Sequence, residues 1–77
     1  MPHVIVKMYR GRPEDEKASL AAAIVQDVMR ATGCAEESVS VAIEDVEPRE
    51  WAEAVYRPFI LEGPGKLYKK PGYDPFD

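Results

Sequence analysis

Only two stretches of this chain alternate as strands do, and one helical stripe separates them. Residues 3–9 (His3, Val4, Ile5, Val6, Lys7, Met8, Tyr9) are rich in β-branched and aromatic types, with Val4, Val6 and Met8 on one face. Residues 38–46 repeat the pattern: Val39, Val41 and Ile43 point one way, and Ser38, Ser40, Ala42 and Glu44 the other. A strand, a helix and a strand in that order predict an α/β fold, a β-α-β unit with parallel strands and a right-handed crossover. Two strands alone make a marginal sheet. With 77 residues and one cysteine, no intrachain disulfide can staple the unit, and a core this small rarely contributes more than about 3–5 kcal/mol. The expectation is therefore a homodimer whose two-fold axis completes a four-stranded sheet. A homohexamer, built as a trimer of dimers, is the alternative.

The helix is expected over about 13–32. Pro13 suits a first helical position, and Glu14, Asp15 and Glu16 place negative charge at the positive end of the dipole. Lys17, Leu20, Ile24, Val28 and Ala31 form one stripe, and Gly33 stands where helices end. A short helix is expected over about 48–57, carrying Trp51, Ala54 and Val55 and stopping near Pro58. Gly63-Pro64-Gly65, Pro71-Gly72 and Pro75 then predict irregular chain over about 58–77, within one domain spanning 1–77.

Charge narrows the partners. A net charge of −4 argues against nucleic acid, which a basic stripe would have to meet. Residues 1–65 carry 7 basic and 12 acidic side chains, whereas 66–77 carry Lys66, Lys69 and Lys70 against Asp74 and Asp77. No apolar run approaches the roughly 20 residues of a membrane span, and no secretory h-region follows the start, so a cytoplasmic protein is expected. Cys34 and His3 are too few ligands for a structural zinc site. There is no phosphate loop and no nucleophile elbow.

What remains is the Met1-Pro2 start. Initiator methionine is ordinarily removed before a small residue, which leaves Pro2 with a secondary amine at the edge of the first strand. Around it stand Pro2-His3-Val4-Ile5-Val6-Lys7, Gly11-Arg12, Glu16-Lys17, Ser38-Val39-Ser40-Val41-Ala42-Ile43 and Trp51. In these residues the chain resembles the 4-oxalocrotonate tautomerase family from end to end. The ending Leu67-Tyr68-Lys69-Lys70-Pro71-Gly72-Tyr73 resembles the longer-chain branch, which includes dimeric bacterial tautomerases active on phenylpyruvate enol.

The resemblance implies an isomerase with no cofactor and no metal, acting on a small 2-keto acid. Pro2 would be the acid/base, Arg12 the clamp on the substrate carboxylate, and Trp51 the apolar pocket wall. The chemistry is coherent. An α-amine has an ordinary pKa of about 7.7–8.0 and a secondary amine lies higher, while burial and a neighbouring cation both favour the neutral base. Arg12 offers a planar fork that binds a carboxylate through two hydrogen bonds. Some relatives carry a second arginine where this chain has Ser40, so a monoacid with an aryl or alkyl tail fits better than a diacid. Two alternatives stand on the same scaffold: hydratase or dehalogenase chemistry with a charged Pro2 as general acid, and a small-molecule binding protein without turnover. Tyr68 and Tyr73 are expected at subunit contacts, and Lys69 and Lys70 in a solvated tail.

Overall fold

The computed structural model describes residues 1–77. The chain runs β1 (His3–Tyr9), α1 (Glu14–Thr32), a 3-10 turn (Glu36–Ser38), β2 (Ser40–Val46), a second 3-10 turn (Pro48–Glu50) and a π-helix (Ala52–Leu61). β1 and β2 pair in parallel from His3↔Ser40 to Tyr9↔Val46, as the alternating patterns require. The β-α-β fold read from the sequence is the fold observed. Its bounds move slightly: Ser38 ends the turn before β2 and is not part of the strand, and Pro13 is the N-cap of α1.

α1 begins with three acidic residues and ends at Gly33, whose N–H donates to the Met29 carbonyl at 2.9 Å. Its stripe packs on the sheet face carrying Val4, Val6, Val41 and Ile43, all half-buried. Lys17 ties the start of the helix to the end of β2 through Asp45, Nζ to Oδ2 at 3.0 Å. The opposite face carries Lys7 and Glu44, which pair at 2.7 Å. The Lys7 ammonium lies 4.3 Å from the centre of the Phe59 ring, so the π-helix covers this face.

The last helix does not stop at Pro58 as its sequence predicts. It runs on to Leu61, and its closing bond, Glu62 N–H to the Arg57 carbonyl at 3.0 Å, spans five residues. In α geometry a proline ring collides with the carbonyl four residues back. The wider π turn is how the chain passes Pro58 without ending. Beyond it, 66–77 folds back, bringing Tyr73 and Phe76 onto Tyr56 with ring centres 5.4 and 5.8 Å away.

The core is very small. Val55 and Tyr56 are the only buried residues, while Ile5, Tyr9, Phe59, Leu61 and Tyr73 stay exposed. No helix is long and apolar enough to cross a membrane.

Candidate active site

Pro2 is half-buried at the start of β1, where its carbonyl accepts the Ser40 N–H at 3.1 Å. That bond fixes the first residue of one strand beside the first of the other. Met1 precedes it with 99% of its surface exposed. His3 Nδ1 and Ser40 Oγ share a hydrogen bond of 2.6 Å, so Ser40 is already partnered. Cys34 lies at this end too. A hydrogen bond from Thr32, above all, draws its thiol below its ordinary pKa against the opposing effect of burial, and Ser38 and the terminal ammonium add to it.

Arg12 and Trp51 stand at the other end of the sheet. Gly11, at φ 115°, turns the chain out of β1 in a conformation that side-chain-bearing residues rarely adopt, and this swings Arg12 to the head of α1. There Arg12 Nη1 donates to Glu16 Oε1 at 2.8 Å. A cleft of about 350 Å³ opens beside the pair, lined by Met8, Arg12, Glu16, Lys17 and Leu20. Lys17 is hydrogen-bonded to Asp45 and to Glu14, in that order of effect, and its ammonium is held above its ordinary pKa.

Trp51 rests on the other side of the strand end. Its ring meets Tyr9 edge to face, with centres 5.2 Å apart and planes at 83°. The indole N–H donates to the Tyr73 hydroxyl at 2.7 Å. Tyr73, expected at a subunit contact, therefore sits against Trp51 and Tyr56 of its own chain. Nothing in the sequence pointed to this, because the 22-residue separation from Trp51 crosses a segment without periodicity. Tyr68 is 90% exposed, and Lys69 bonds only the neighbouring Lys70 carbonyl, at 3.2 Å.

The three residues singled out from the sequence are thus divided. At about 3.3 Å per strand residue, the seven steps from Pro2 to Tyr9 span roughly 23 Å. Arg12 and Trp51 share one end of the sheet, and Pro2 holds the other. One chain does not bring them together.

Residues 2–57 match the family described as "Tautomerase enzyme". The chain belongs to the tautomerase family. It is 41% identical over 73 residues to a probable tautomerase of Xylella fastidiosa, covering 95% of this chain and 89% of that protein. It is 40% identical over 74 residues to tautomerase PptA of Klebsiella pneumoniae, covering 95% and 97%. Among solved structures, a 4-oxalocrotonate tautomerase isozyme of Methylibium petroleiphilum superposes with a TM-score of 0.63 at 32% identity, over 65% of this chain and 81% of that one. The protein is an isomerase, a tautomerase of the 4-oxalocrotonate tautomerase family.

Tautomerisation moves one proton between carbon and oxygen without net redox change. It asks for a group that takes and returns a proton, and for positive charge to hold an acid in register. This tautomerase offers a strand-initial proline at one end of its sheet and, at the other, the Arg12 guanidinium on one side of the strand end and the Tyr9–Trp51 aromatic pair on the other. No group of three or more His, Cys, Asp or Glu side chains is arranged to hold a metal ion.

Proposed function

We propose that this tautomerase interconverts the enol and keto forms of a small 2-keto acid with an aryl tail, of the phenylpyruvate type, and acts as a cofactor-independent homodimer in the cytoplasm. After loss of Met1, the Pro2 amine takes the enol hydroxyl proton and returns it to carbon. Arg12 holds the carboxylate in its fork, and Trp51 walls the tail. The observation that carries this reading is the division of the site along the sheet. Both strands of a two-stranded sheet are edges, and an antiparallel pairing across a two-fold axis sets the first residue of one strand opposite the last of its partner. Pro2 of one subunit then meets Arg12 and Trp51 of the other. The aromatic surroundings, Tyr9, Trp51 and Tyr73, favour an aryl tail. Ser40, already bonded to His3, offers no second cation for a diacid.

The test is ketonisation of phenylpyruvate enol, followed by ultraviolet absorbance, with tag-free protein and its Pro2→Ala variant. The variant keeps an α-amine at its terminus, so the expected loss in kcat is on the order of 10²-fold, the low end for a lost acid/base. The wild-type rate should fall as the pH drops through the Pro2 pKa, because protonation removes the base. An unchanged rate in the variant, or a rate that rises on acidification, removes Pro2 from the role of base.

A further inference from the structure

The end of the chain makes a direct contact with the Trp51 side chain. An indole has a single N–H donor, and here it goes to the Tyr73 hydroxyl at 2.7 Å while Tyr9 meets the ring edge to face. Tyr73 is itself anchored. Its ring packs on Tyr56 with centres 5.4 Å apart, and its carbonyl accepts the Tyr56 hydroxyl at 3.2 Å. Tyr56 is one of the two buried residues of the molecule. Phe76 closes over Tyr56 from the same segment and carries the Arg57 guanidinium 4.4 Å above its ring. A continuous set of contacts therefore runs from buried Tyr56, through Tyr73, to the indole. Tyr73 nevertheless remains 49% exposed, on the surface that Trp51 shares.

From this geometry we infer that Tyr73 is a positioning residue that gives the pocket its selectivity for aryl over alkyl tails, by fixing the plane of the Trp51 indole. The inference rests on the placement of Trp51 as pocket wall. Two aromatic rings attract best in offset or edge-to-face arrangements, so an aryl tail gains only if the indole plane is held. An alkyl tail has no such orientation to satisfy and gains from area alone. Releasing the indole therefore weakens aryl ligands selectively.

The experiment uses Tyr73→Phe, which keeps the ring on Tyr56 and removes only the acceptor. Two non-reacting monoacids, 3-phenylpropanoate and butanoate, are compared as competitive inhibitors of phenylpyruvate-enol ketonisation. The variant should raise Ki for the aryl acid about three- to ten-fold, the worth of one hydrogen bond. Ki for butanoate should stay within about two-fold of wild type. Trp51 is the only tryptophan, so its fluorescence anisotropy should fall in the same variant, a direct reading of the released indole. Equal changes for both acids, no change for the aryl acid, or unchanged anisotropy would each overturn the inference. Trp51→Ala separates its failure from that of the underlying site. If Trp51→Ala erases the aryl preference and Tyr73→Phe does not, only the role of Tyr73 is lost. If Trp51→Ala also leaves the preference intact, Trp51 is not the wall and both readings fall.

Discussion

Arg12 already holds a carboxylate. Glu16, in the first turn of α1, accepts a hydrogen bond from its guanidinium at 2.8 Å, with both side chains more than half exposed. A substrate acid must displace this internal competitor, and exposed i,i+4 pairs are weak enough to yield. Glu16→Gln should therefore lower KM for phenylpyruvate enol about two- to five-fold with kcat unchanged. Arg12→Ala should raise KM on the order of 10- to 100-fold, as expected when a charged hydrogen-bonding partner is removed. Steady-state kinetics of the two variants checks both directions, and a rise in KM for Glu16→Gln would mean that Glu16 orients Arg12 and does not compete with substrate. At this scale the sequence was informative where position alone carries meaning. Pro2 follows the initiator, and Arg12 and Trp51 both lie within residues 2–57, the stretch that matches the family. It pointed Tyr73 to a subunit contact and did not give its partners within the chain, which are set by how an irregular tail folds back.

The β-α-β elements were legible because each wrote a full signal: period two in β1 and β2, period 3.6 in α1, acid at the helix start and Gly33 at its end. The π-helix was not, because proline ordinarily reads as a stop and a change of helical pitch leaves no mark in residue type. Its continuation matters at Gly63. A Cβ added there would lie 2.3 Å from the Phe59 carbonyl oxygen and 2.9 Å from its carbon. The obstacle is backbone and cannot rotate away, so the helix end and the chain that leaves it must touch where only hydrogen fits. Gly63→Ala should cost about 3 kcal/mol, the upper end for overpacking. Thermal unfolding at fixed protein concentration should show an apparent Tm lower by on the order of 10–20 °C. A shift below about 2 °C would mean that the turn relaxes freely and does not brace the helix.

The whole subunit is more open than a compact domain of its length. A folded chain of 8.6 kDa should expose about 4,700 Å², yet this one exposes 5901 Å². Its radius of gyration is 14.0 Å, against about 11.5 Å for a compact domain of this length. The excess of about 1,200 Å² is the size of surface that one side of a stable obligate interface covers. Self-association and the divided site then become one claim, testable by mixing subunits. Assayed with substrate well below the wild-type KM, Pro2→Ala and Arg12→Ala homodimers should each keep at most about a tenth of wild-type activity. In a composite site, a mixed dimer joins the intact Pro2 of one chain to the intact Arg12 of the other, and its second site collects both lesions. Random exchange of equal amounts makes half the dimers mixed, each with one good site, so activity should recover to about a quarter of wild type. Were Pro2 and Arg12 to act within one chain, no mixture could restore either. Exchange is confirmed by native mass spectrometry, so a mixture that exchanges and stays inactive would refute the composite site, and recovery near a quarter would fix which subunit supplies each wall.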